Sequence, residues 1–151
     1  MIFFLGFFIL EGCGVFPANG KKEERPELFV TALWNVQSLF DANETGREYG
    51  AYLENAGWNA EKYAARLNAL SRAVLQMANP QAPVPDKAGQ VSPPHLIGLV
   101  ELENSGVLED LARGELSKYG YYWTAFAAIP GAPLGIGFLS RFPFSGIRVC
   151  R

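Results

Sequence analysis

The sequence predicts a mixed α/β (α+β) domain in which helices pack on a sheet. Three observations predict it. Short apolar runs with the length of strands occur at Leu28–Trp34 and His95–Glu101. Between them Tyr63, Leu67, Leu70, Val74 and Met77 recur at spacings of four, three, four and three, the period of a helix with one apolar stripe. A second helical stretch is then followed by two more candidate strands, Tyr121–Ala128 and Gly135–Ser140. The chain has 151 residues, enough for one domain, and is 49% hydrophobic and 19% charged, which excludes wholesale disorder. Its net charge of -2 and the lack of a dense Lys/Arg run give no general attraction to polyanions.

At the amino terminus, Ile2–Leu10 is a run of nine residues without a polar side chain, followed by Glu11, Gly12 and Cys13. As a helix it spans about 14 Å, too short to cross a bilayer. It fits the apolar region of an export signal, with a misplaced start codon or a buried strand as the alternatives. Leu10–Cys13 also resembles a bacterial lipoprotein cleavage box, in which Cys13 becomes the lipidated first residue. The missing Lys or Arg ahead of the run, and Glu11 inside the box, depart from that pattern. The organisation expected is a signal over residues 1–13, a polar tether over 14–27 that includes the mixed-charge stretch Lys21–Glu27, and a folded part over 28–151. Such a protein is exported: periplasmic, outer-surface or anchored to a bacterial membrane through Cys13. Cys13 and Cys150 are the only cysteines and His95 the only histidine, so neither a disulfide framework nor a zinc site is indicated.

The first folded element is the strand Leu28–Trp34, ending at Asn35. Asp41–Gly57 is polar and glycine-bearing, a loop with a short helix around Tyr49–Glu54. Asn59 opens the long helix as its N-cap, and the helix is expected to stop near Asn79, because Pro80 lacks an amide hydrogen. Gln81–Pro94, with four prolines, is a long connection. After the second strand, Ser105–Leu116 is helical, capped by Asn104 or Ser105, with Val107, Leu108 and Leu111 facing inward. Phe144–Val149 is a candidate start of one more strand. Tyr119, Tyr121, Tyr122 and Trp123 could stack on bases, yet without flanking positive charge a place in the core or on a strand face fits them better.

Chemistry concentrates at two strand ends. In His95–Asn104, an apolar strand ends in Glu101, Glu103 and Asn104. A buried ionised carboxylate is costly, so Glu101 must emerge into solvent or meet a cation. A hard cation such as Mg²⁺ takes oxygen ligands of this kind. Asn35 offers an amide, donor and acceptor together, at the end of the first strand. Taken singly, each residue is better explained as a solvated strand end or a turn.

Taken together they resemble the endonuclease/exonuclease/phosphatase superfamily, the metal-dependent phosphoesterases that include DNase I-like nucleases. Asn35–Asp41 (NVQSLFD) is similar to the family's N-V-Q-N-L-F-D strand end. Trp58, Tyr63, Arg66, Leu67 and Leu70 match its following helix, Pro94–Asn104 its P-D-I-I-G-L-Q-E-V-E-N strand, and Leu139–Pro143 its L-S-R-x-P segment. The resemblance implies that Glu101 is the metal-ligating glutamate and Asn35 the active-site asparagine. The implied cofactor is Mg²⁺ or Mn²⁺, and the implied partner a phosphoester, nucleic acid among the candidates; no feature points to a protein partner. Glu103 and Asn104 are expected to act as local caps. Val100 stands where the family has glutamine. The family's later D-x-N and S-D-H segments have no counterpart here, and His95 lies at the far end of its strand from Glu101. The expectation is therefore half of a four-layered DNase I-like α/β sandwich, whose whole needs roughly 250 residues. Such a chain is inactive alone; the alternative is an exported lipoprotein-like binding module on a degenerate phosphoesterase scaffold.

Overall fold

The computed structural model describes residues 29–77 and 93–149. The expected signal, tether, Cys13, Cys150 and most of the proline-rich connection lie outside them. The chain forms β1 (Thr31–Leu39), two single 3-10 turns (Gly50–Tyr52 and Glu54–Ala56), α1 (Ala60–Gln76) and β2 (Leu96–Leu102). It continues with α2 (Ser105–Arg113), a 3-10 segment (Glu115–Tyr119), β3 (Trp123–Ala127) and β4 (Gly135–Ser140). The sheet order is β1-β2-β4-β3. β1 runs parallel to β2 across the α1 connection, while β2–β4 and β3–β4 are antiparallel.

Strand alternation divides the sheet into two unlike faces. Trp34, Val36, Ile97, Leu99, Phe126 and Leu139 point toward the helices and join Leu70, Val74, Val107, Leu108 and Leu111 in one core. The opposite face carries Leu33, 72% exposed, with Trp123, Ile136 and Phe138, each about two-fifths exposed. A mixed four-stranded sheet with two helices on one side is the pair of layers expected of half a DNase I-like sandwich.

Each helix begins where its cap residue dictates. Asn59 Oδ1 accepts from Lys62 N at 3.0 Å, and Asn104 Oδ1 accepts from Val107 N at 3.0 Å, each supplying a partner for a first-turn amide. The stripe behaves as its spacing requires at Leu70 and Val74, which are buried, while Tyr63, Leu67 and Met77 are partly covered. Tyr63 instead donates from its hydroxyl to Asp110 at 2.9 Å, tying α1 to α2. Burial and this carboxylate together push its phenol upward.

Several boundaries differ from the sequence expectation. β1 does not end at Asn35 but continues to Leu39, because Val36 keeps the core side and Leu39 returns to it beyond an irregular stretch. α1 ends at Gln76, with Met77 closing it through its amide to Ala73 and Val74 carbonyls. The second helix breaks at Gly114 and tightens into the 3-10 segment that buries Leu116. Tyr121 precedes β3 and is fully buried, its hydroxyl donating to the Pro94 carbonyl at 2.5 Å; burial raises its phenol. Phe144–Val149 forms no strand. His95 is buried and satisfied: its Nδ1 accepts from Val30 N at 2.9 Å and its ring stacks on Phe29.

Candidate functional site: a carboxylate lifted out of the core

Simple alternation would bury Glu101. Ile97 and Leu99 face the helices, so the next residue of that parity is the carboxylate. The backbone avoids this by inserting one residue. Val100 pairs with Ile136 and Leu102 with the adjacent Gly135, leaving Glu101 as an extra residue between them. Its φ of 70° is left-handed, an unusual conformation for a residue with a Cβ. The bulge resets the phase, so Leu102 takes the core position at 0% exposure while Glu101 is only partly buried. An ionised side chain is thereby kept out of an apolar interior, where it would cost several kcal/mol, on the order of a lost buried ion pair.

β1 bends in response. Asn35 pairs with Val100 and Leu39 with Leu102, so Val36, Gln37 and Ser38 all stand opposite Glu101. Gln37 and Ser38 are both left-handed, at φ 57° and 60°. Each such residue costs about 1–2 kcal/mol. In a regular strand Asn35 and Ser38, three apart, would face opposite sides of the sheet. The two left-handed residues turn them to the same side.

The result is a small polar cluster at the C-terminal ends of the two parallel strands. Asn35 Nδ2 donates to Glu101 Oε1 at 2.6 Å, and Ser38 Oγ donates to Oε2 at 3.1 Å. Asn35 Oδ1 accepts from Gln37 N at 2.8 Å, which fixes the amide's orientation. A carboxylate offers about four acceptor directions; each oxygen of Glu101 therefore keeps capacity for a cation after these two bonds. Among the described residues no three His, Cys, Asp or Glu side chains converge as a metal cage. This donor set suits Mg²⁺, which commonly takes one or two carboxylates and keeps several waters.

A second polar layer braces the strand ends. Glu103 N donates to Leu39 O at 3.0 Å, Asp41 N donates to Glu103 Oε2 at 2.8 Å, and Asn104 Nδ2 donates to Asp41 Oδ2 at 3.2 Å. Trp58 Nε1 caps the Asp41 carbonyl at 2.5 Å. Glu103 Oε1 is buried and receives no hydrogen bond from any donor among the described residues. Burial, with Asp41 and Glu48 nearby, pushes the Glu103 acid up to about 7 despite the Asp41 amide. Protonation removes the charge that burial penalises at this oxygen. Glu48 itself is held down at about 2 by the hydroxyl and amide of Thr45 and the amide of Gly46. Glu103 thus does more than cap: it is a neutral strut at mildly acidic pH.

Both sequence-predicted site residues, Asn35 and Glu101, are brought into contact, whereas His95 sits at the other end of β2. Ser38 escaped sequence reasoning because its side follows from the bulge alone. Arg66, which the sequence offers only as a match to the family's helix, reaches the bulge with its guanidinium.

The profile of the Endonuclease/Exonuclease/phosphatase family matches residues 30–132, a span that contains β1, α1, β2, α2 and β3 together with Asn35 and Glu101. No curated protein and no solved structure matches the chain. With the family's span covering most of the chain and the polar cluster inside it, the protein belongs to the endonuclease/exonuclease/phosphatase family.

Proposed function

We propose that the Glu101–Asn35–Ser38 cluster holds a divalent cation, Mg²⁺ or Mn²⁺, against a phosphoester. The observation that carries this reading is the bulge that lifts Glu101 out of the core and delivers it to Asn35 at 2.6 Å. Membership of a phosphoester-cleaving family whose members typically need divalent metal supports it. When bound, the ion supplies charge neutralisation at the phosphoryl and leaving oxygens. Glu101 is its protein ligand. Asn35 orients that carboxylate through one Nδ2 hydrogen and keeps the other for a phosphate oxygen. Ser38 fixes the second carboxylate oxygen.

In this reading the 151 residues bind without efficient turnover. The only histidine is buried at the far end of β2 and engaged with Val30, so no imidazole reaches Glu101 to move a proton. The apolar Ile2–Leu10 run followed by Cys13 supports export, with attachment through Cys13, as part of the same proposal.

Mn²⁺ titration followed by electron paramagnetic resonance tests the site directly. The wild-type chain is expected to bind one ion, and Glu101→Gln to weaken binding roughly tenfold or more. Equal affinity in a folded Glu101→Gln variant overturns the assignment.

A further inference from the structure

We propose that Arg66 is a positioning residue for the Glu101 site, acting through the backbone of the β1 bulge. This inference rests on the reading of Asn35 and Glu101 as the functional pair. Where β1 leaves its ladder, the carbonyls of Val36 and Gln37 stand in the stretch that has no strand partner on β2. Carbonyls in such a place need donors. One nitrogen of the Arg66 guanidinium, Nη2, donates to Val36 O at 2.6 Å and to Gln37 O at 3.3 Å. The Tyr52 hydroxyl makes a longer contact, 3.4 Å, to the same Gln37 carbonyl. The two carbonyls lie before and after Gln37, the first left-handed residue of the turn that puts Asn35 and Ser38 on the side of Glu101.

The connection is mechanical. Rotating the peptide between Val36 and Gln37 would carry away the Gln37 amide that holds Asn35 Oδ1 at 2.8 Å, and with it the Ser38 hydroxyl. A charged donor on a rigid helix resists that rotation better than water, because charge-assisted hydrogen bonds are stronger than neutral ones. Arg66 lies in α1, whose Leu70 and Val74 are anchored in the core. The helix therefore fixes the guanidinium, the guanidinium fixes the bulge, and the bulge aims the two donors at the carboxylate. Arg66 touches neither Glu101 nor a ligand in this scheme.

Arg66→Met keeps an unbranched apolar stem and removes every donor. The decisive readout is hydrogen exchange of the Asn35 side-chain amide, measured by NMR in metal-free protein, beside exchange of β2 and β4 backbone amides as a control for the fold. The Asn35 side-chain amide is expected to exchange at least tenfold faster in Arg66→Met, with the β2–β4 amides unchanged. Arg66→Lys keeps the charge, but its side chain is shorter and lacks the planar guanidinium fork; it is expected to fall between. Mn²⁺ affinity should weaken in the same order. Wild-type exchange at Asn35 in a folded Arg66→Met chain overturns the proposal. If Arg66→Met does not fold, wild-type exchange at Asn35 in Arg66→Lys overturns it, and an intermediate rate sustains it. Loss of Mn²⁺ binding in every chain, wild type included, would count against the metal assignment and leave the Asn35 readout to judge Arg66.

Discussion

Replacing Glu103 with glutamine, and following urea unfolding from about pH 4 to 9 in the presence of a chelator, isolates one titrating group at the strand ends. In the folded chain this acid ionises at about 7 against an ordinary value of 4.5. Between those values the folded state holds a proton that the unfolded state has released. Its stabilising contribution is therefore fully present below pH 4.5 and is lost as pH rises through about 7. A fully buried group shifted that far would lose about 3 kcal/mol. Glu103 is only partly buried, so screening reduces the expected loss to about 1–2 kcal/mol. Glutamine reproduces the neutral acid: its carbonyl can accept from Asp41 N and its amide can donate toward Glu48. The variant should match wild type near pH 5 and exceed it by about 1–2 kcal/mol at pH 8. Parallel wild-type and Glu103→Gln profiles from pH 5 to 8 would refute a protonated strut.

Two packing and capping changes give further checks. An added Cβ at Gly137 would lie 2.5 Å from Leu102 Cδ1 and 2.8 Å from Leu108 Cδ2, both side chains fully buried. Gly137→Ala should cost about 1–3 kcal/mol in urea unfolding; an unchanged midpoint would mean that these leucines repack freely. Asn104→Ala removes both the acceptor for Val107 N and the donor to Asp41, and should cost about 1–2 kcal/mol. Asn104→Ser should recover the capping share of that loss, and failure to recover any of it would locate the effect in the Asp41 contact instead.

Much of the architecture was legible in the linear chain because it follows from local periodicity. The four-three spacing of Tyr63 to Met77 marked α1, and Asn59 and Asn104 marked the helix starts through a local acceptor for a free amide. The apolar runs marked β1 and β2, and NVQSLFD with HLIGLVELEN marked Asn35 and Glu101. Boundaries suffered where tertiary contacts intervened. Tyr121 looked like a strand residue by composition, but a buried bond from its hydroxyl to Pro94 takes it out of the ladder. β1 was cut short at Asn35 because strand alternation breaks there.

Sequence alone determined which side chains carry charge, which face of each helix is apolar, and which two strand ends bear oxygen chemistry. These are properties of residue type and spacing over one or two turns. Tertiary structure alone decided that Glu101 leaves the core, that Ser38 joins Asn35 beside it, and that Arg66 and Glu103 support them. Those outcomes hang on three left-handed residues that carry side chains, and no local preference selects that conformation at a glutamine, a serine or a glutamate. Only the competition between burying Leu102 and burying a carboxylate, settled across neighbouring strands, puts the backbone there.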